Sequence, residues 1–247
     1  MSDFKDFGGD FSKYLAETEI LDFSSASIVR LVEARGWKNL PETEKIKSIY
    51  NFVKDEIAFG YNVSDDVKAS LVLADGYGQC NTKGVLFMAL LRACGVPCRI
   101  HGFNIDKKLQ KGAMSELVYK AAPVEIFHSY VEVFSGGTVY SLEGFILDEK
   151  YLSALQKRFK PNADGSFMGY GVAVKNFSNP PVNFNCCNTF IQSEGIVRDF
   201  GVFDSPDELF KAHGQQMNCF KALVYRLLGR RLMNRNVKKI RNGESKK

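Results

Sequence analysis

The chain has 247 residues, 45% of them hydrophobic and 13% aromatic, which is enough apolar material for a substantial core and excludes a disordered chain. Its formal charge of +5 is uneven: residues 221–247 hold ten Lys/Arg against one Glu, which leaves −4 over the first 220 residues. The charge distribution therefore does not support a globally basic nucleic-acid-binding face and no specific nucleic-acid binding is expected, while the basic tail alone could meet an acidic partner or an anionic membrane surface.

Residues 1–10 are polar, carry Asp3, Asp6 and Asp10, and show no apolar leader, so the expected compartment is the cytoplasm. Apolar runs such as 85–91 fall well short of the roughly 18 to 20 residues that span a bilayer. Residues 41–57 place Ile46, Ile49, Tyr50, Val53 and Ile57 at helical spacing behind Pro41, with Glu42 and Glu44 in the first turn, a pattern that predicts an amphipathic helix. A second helix is predicted from Cys80 to about Ala93, since Val85, Leu86, Ala89, Leu90 and Ala93 recur at intervals of three and four before Gly95 and Pro97 stop the run.

Residues 96–103 read as a strand and 112–121 as a short helix or ordered insertion. Residues 126–134 and 138–145 are rich in aromatic and β-branched side chains and flank Ser135-Gly136-Gly137, a hairpin signal. With Gly136-Gly137 as a two-residue turn, Ser135 pairs with Thr138, His128 lies opposite Phe145, and Glu143 becomes the diagonal neighbour of His128 on the same face.

A helix is expected at 149–159, short strands and ordered loops at 161–203, and a further helix announced by Ser205-Pro206-Asp207-Glu208. A basic amphipathic helix is expected from Cys219 to about Val237. There Phe220, Leu223, Val224, Leu227, Leu228, Leu232 and Met233 form a stripe expected to dock on the domain while the arginines face water, with interfacial membrane attachment or partner binding as the alternative. Six cysteines without a leader are expected to remain thiols, and Cys94 and Cys98 lack the second Cys/His pair of a zinc site. No metal or cofactor is called for.

One thiol stands apart. Cys80 follows the Gly-rich run Gly76-Tyr77-Gly78-Gln79 and heads a predicted helix, where the helix dipole and unpaired backbone N–H groups favour the thiolate, the nucleophilic form. His128 supplies a base and Glu143 a carboxylate to orient it, so the three read as a cysteine, base and acid set for acyl transfer. Asp148 is the alternative acid. The backbone N–H of Cys80, and the side chain of Gln79, are candidate donors to an oxyanion. His101 and His213 show no carboxylate or nucleophile context and are expected to be structural.

The Cys80 junction, the strand His128-Ser-Tyr-Val-Glu-Val-Phe and the carboxylate at 143 resemble the transglutaminase-like cysteine hydrolase superfamily across roughly residues 41–150. That resemblance implies an α+β, papain-like core in which the nucleophile's helix packs on an antiparallel sheet carrying His128 and Glu143. A helical C-terminal extension would follow. It implies the roles of nucleophile for Cys80, proton carrier for His128 and orienting acid for Glu143, acting on a protein or peptide substrate. The superfamily usually has Asp at position 143 and Trp at position 130, where this chain has Glu143 and Tyr130.

The expected organisation is an N-terminal helical segment at 1–40, a catalytic core at 41–160 and an extension at 161–247, within what could be one globular unit. The expected function is cysteine-dependent acyl transfer on an amide, peptide or isopeptide-type bond, as protease, deamidase or transferase. The alternative is a non-catalytic binding or scaffold protein that keeps the fold and docks through its basic C-terminal helix.

Overall fold

The computed structural model describes residues 11–114, 116–214 and 225–244. After a single helical turn at Ser12–Leu15, its α-helices are α1 (Ala26–Arg35), α2 (Glu42–Asn51), α3 (Ala69–Asp75), α4 (Cys80–Ala93), α5 (Glu116–Ala121), α6 (Glu149–Arg158), α7 (Pro206–His213) and α8 (Arg230–Arg241). The strands are β1 (Ala58–Phe59), β2 (Tyr77–Gly78), β3 (Cys98–Asp106), β4 (Glu125–Ser135), β5 (Thr138–Leu142), β6 (Phe167–Gly169), β7 (Val172–Val174) and β8 (Ile196–Phe203).

Helix α4 is the hub, because residues 80–92 are all buried. A helix that is apolar on all sides must be surrounded by protein, and the run Val85-Leu86-Phe87-Met88-Ala89-Leu90-Leu91 meets that requirement. Its carboxyl end is closed by Gly95 at φ +77° and by Val96 N–H donating to Leu91 O. Arg92, in the last turn, donates to the carbonyls of Ala16, Cys98 and Asp204, which ties the helix to the chain on either side.

Against α4 lies an antiparallel sheet in the order β5-β4-β3-β8. The hairpin register is the one counted from the sequence: Ser135 pairs with Thr138 and Val131 with Leu142. Gly136 and Gly137 take φ +56° and +77°, the double positive φ of a type I′ turn, which matches the twist of the flanking strands. The second strand ends three residues earlier than expected, since after Leu142 the backbone leaves the ladder and Glu143 N–H donates to Thr189 O.

Strand β8 comes from the segment expected as loops and short strands. It pairs with β3 from Ile100↔Phe203 to Ile105↔Ile196, with two register shifts. Side chains from 161–244, among them Val172, Phe177, Leu209, Met233 and Ile240, enter the same buried cluster as Leu86 and Ile100.

The C-terminal stripe departs from expectation. Cys219, Phe220, Leu223 and Val224 lie outside the described residues. From Tyr225 a π-helical turn (Tyr225–Gly229) leads into α8, which buries Met233, Val237 and Ile240. Leu227, Leu228 and Leu232, expected to dock on the domain, instead point to water at 53%, 61% and 40% exposure. The docked face is held by polar anchors that the stripe did not include. Asn234 Nδ2 donates to Tyr61 O and its Oδ1 accepts from Tyr61 N–H, Asn236 donates to the carbonyls of Gly112 and Ala113, and Arg241 reaches Asp148. No helix among the described residues is long and apolar enough to cross a membrane.

Candidate active site

Cys80 is the first residue of α4, and the loop before it is shaped by close approach. A Cβ on Gly78 would fall 2.7 Å from Thr82 Oγ1 and 2.9 Å from Lys83 Cγ, so the position requires glycine. Thr82 Oγ1 accepts from Gln79 N–H at 3.0 Å and donates to Asn62 Oδ1 at 2.6 Å. Asn62 in turn donates to Asp75 and to Tyr77 O.

Gln79 acts as a strut. Its Oε1 accepts from Asn62 N–H at 2.8 Å, while its Nε2 donates to Asp65 Oδ1 at 3.1 Å and Ser64 O at 3.4 Å. Both amide hydrogens are thus committed to the 62–65 loop. That arrangement removes the physical basis for the oxyanion role expected of the Gln79 side chain.

His128, on β4, is fully buried. Its Nε2–H donates to Glu143 Oε1 at 2.8 Å. The other carboxylate oxygen, Oε2, accepts from the backbone N–H groups of Ile191 and Gln192, both at 2.8 Å. The extra methylene of Glu143 over the usual Asp is accommodated by this two-sided grip: one oxygen on the imidazole, one on the backbone. The ring of Phe103 meets His128 edge-on, with centroids 4.7 Å apart.

The remaining ring nitrogen, Nδ1, has no hydrogen-bond partner among the described residues, and Cys80 is the neighbour whose proximity acts on it. Burial pulls the imidazole pKa down, but the Cys80 and Glu143 side chains outweigh burial and raise it to about 10. The protonated ring between a sulfur on one side and a carboxylate on the other is the charge state this enclosure favours.

Asp148, the alternative acid, is engaged elsewhere. It caps α6 through Tyr151 N–H, accepts from Phe59 N–H and pairs with Arg241 at 2.7 Å. Burial alone would raise its pKa, yet the Arg241 guanidinium holds it below the ordinary carboxylate range.

Several contributors carried no sequence signal. Asn81, next to Cys80, accepts from Ser129 Oγ at 2.8 Å and donates to Phe127 O at 3.4 Å, so it grips β4 on both sides of His128. Lys83, one turn further along, is fully buried and donates from Nζ to Lys54 O and Ile146 O. Desolvation drives its pKa down to about 7.

His101 was expected to lack carboxylates, and the structure corrects this: Nε2 is 2.7 Å from Asp199 and Nδ1 3.3 Å from Glu132. Tyr130, at the position where Trp is usual, stacks on His101 with its hydroxyl 2.9 Å from Nδ1. The cluster is set apart from His128 by Phe103, whose ring touches both Tyr130 and His128. His213 stacks on Phe200 at 4.2 Å.

The pair is enclosed. Cys80 is 9% exposed, His128 0% and Glu143 1%. Tyr61 and Tyr225 lie near Cys80, with Tyr61 Oη donating to Gln110 and Tyr225 Oη to Asn62 O.

A comparison with protein families matches residues 32–143 to the transglutaminase-like superfamily. The match spans 112 of the 247 residues, a little under half of the chain. It runs from within α1, through the helix headed by Cys80, to Glu143, the carboxylate on His128. That similarity supports a cysteine-dependent enzymatic role in general and names no particular reaction.

No curated protein matches the chain. Among solved structures, it is similar to a Cytophaga hutchinsonii protein described as a "Putative Cysteine Protease", at 14% identity and a TM-score of 0.45. The alignment covers 82% of this chain and 50% of that one, so the chain spans about half the length of its structural relative. No residue role is taken from so loose a superposition.

Proposed function

We propose that the protein is a cysteine enzyme that transfers an acyl group from an amide, peptide or isopeptide-type bond through a thioester on Cys80. The observation that carries this reading is the ordered set Cys80, His128 and Glu143. His128 Nε2 is fixed on Glu143 at 2.8 Å, and Nδ1 is left without a partner beside the thiol.

In the reaction, the Cys80 thiolate attacks the carbonyl carbon and the carbonyl oxygen takes the negative charge. The backbone N–H of Cys80 faces that oxyanion. Imidazolium His128 gives its Nδ1 proton to the leaving nitrogen as the C–N bond breaks, which leaves the thioester and a neutral imidazole. Water or a primary amine then attacks the thioester while His128 takes its proton, and Cys80 leaves as thiolate. Water as acceptor makes the enzyme a protease or deamidase, and an amine makes it a transferase.

The test is trapping in cell lysate with the wild type and Cys80→Ala, followed by mass spectrometry of hydroxylamine-labile adducts on residue 80. An acyl adduct on the wild type only is the expected result, and its absence at every pH from 6 to 10 sinks the proposal. Adding a fluorescent primary amine separates the acceptors, since transfer labels the acyl donor and hydrolysis does not. A second reading, a non-catalytic binding protein that retains the fold, is favoured by the low exposure of Cys80, His128 and Glu143. That reading expects no adduct and unchanged partner binding in Cys80→Ala.

A further inference from the structure

Helix α8 and the turn before it carry apolar side chains on two sides, and the fold uses only one of them. The inner face is committed: Met233, Val237 and Ile240 are buried, and Asn234, Asn236 and Arg241 are hydrogen-bonded to the body. The outer face of the preceding turn and of α8 carries Leu227, Leu228 and Leu232, three of the large apolar side chains that the fold leaves exposed.

Arg226, Arg231, Arg235, Lys238 and Lys239 are exposed on the same outward side. None of these five cations forms a salt bridge among the described residues. By contrast, Arg230 and Arg241 turn inward, to Tyr77 Oη and Asp148.

We infer that this outward face is a docking surface for an anionic lipid membrane, with the three leucines entering the interface and the five cations meeting the headgroup phosphates. An element of this kind lies in the plane of the interface, its apolar side chains among the acyl chains and its long cationic stems reaching back to the phosphates. Charge complementarity selects the partner. The first 220 residues are net −4, so the body does not compete for a negative surface. A second copy would set the same five cations against five cations. An acidic protein surface would satisfy the cations and leave the leucines in water. The inference does not depend on the chemistry assigned to Cys80.

The experiment is co-sedimentation of the full chain with phosphatidylcholine vesicles and with vesicles that also contain phosphatidylglycerol. Binding is expected to the anionic vesicles only and to weaken as salt rises. Leu228→Ser with Leu232→Ser, which leaves the charge unchanged, should reduce binding at low salt by at least ~10-fold, with the melting temperature held because both side chains already face water. Arg231→Gln with Arg235→Gln should also weaken binding.

Three results overturn the inference: no binding to anionic vesicles; binding unaffected by the leucine substitutions, which marks simple attraction to any acidic surface; or a dimer in sedimentation equilibrium that the leucine substitutions dissolve, which gives the face to a second copy.

Discussion

Glu143 serves two structural purposes at once, and its substitutions should separate them. In Glu143→Gln the side chain keeps its size, but whichever way the amide turns, an NH2 group faces either His128 Nε2–H or the N–H groups of Ile191 and Gln192. Donor then opposes donor in a buried site, and the imidazole loses the partner that fixes its ring and tautomer. Acyl transfer is expected to fall by about 10²- to 10⁴-fold, as for other triads deprived of their acid, together with a fall in melting temperature from the unsatisfied buried donors. An unchanged kcat/KM in this variant would remove Glu143 from the mechanism.

At the scale of elements, the loop before α4 and the clasp of α8 are the two points where one substitution should do the most. Gly78→Ala would drive a methyl to within 3 Å of the Thr82 and Lys83 side chains, a cost of about 1–3 kcal/mol readable by chemical denaturation. It should also displace Gln79 and Cys80 and slow the reaction of the thiol. Arg241→Ala would leave Asp148, at 3% exposure, with backbone donors alone. The expected loss is about 3 kcal/mol, and Arg241→Ala/Asp148→Asn should recover part of it, the outcome expected if the damage comes from an uncompensated buried charge.

The same elements explain what could be read in advance. Cys80 and His128 were legible from local rules, a loop-to-helix junction and a hairpin whose register follows from two glycines, whereas the counted pairing of His128 with Phe145 does not form: the ladder ends at Val131↔Leu142, and Glu143 meets His128 from beyond the strand. The grip of Ile191 and Gln192 on Glu143 was not legible, since it uses backbone donors 48 and 49 residues away that have no side-chain signature. The carboxylates around His101 were missed because β3 and β4 are joined by the long stretch 107–124, so the pairing His101↔Tyr130 could not be counted. In α8 the apolar side chains lie on both faces, and periodicity alone cannot say which face the body takes. The asparagines that decide it act through backbone atoms of Tyr61, Gly112 and Ala113.

For the molecule as a whole, two buried basic groups bear on how stability responds to pH: His128 on β4, beside Cys80, and Lys83, one helix turn along α4. Against the downward pull of burial, His128 is raised to about 10 chiefly by the Cys80 side chain, and a thiolate–imidazolium pair holds the same number of protons as a thiol beside a neutral imidazole, so the pair adds no slope of its own. Lys83 is lowered to about 7, so here the unfolded chain holds the extra proton, and stability increases as the pH rises from about 7 toward the ordinary lysine range. Between about pH 7.5 and 9 Lys83 therefore gives the folded protein one proton fewer than the unfolded chain, and stability should rise across that window by up to about 1.4 kcal/mol per pH unit. Chemical denaturation at closely spaced pH values would read the rise, and Lys83→Met should remove it. A wild-type stability that is flat or falls across the window would remove Lys83 from the account. The burial that shuts the thiol away from solvent would thus also make the fold most secure on the alkaline side of neutrality.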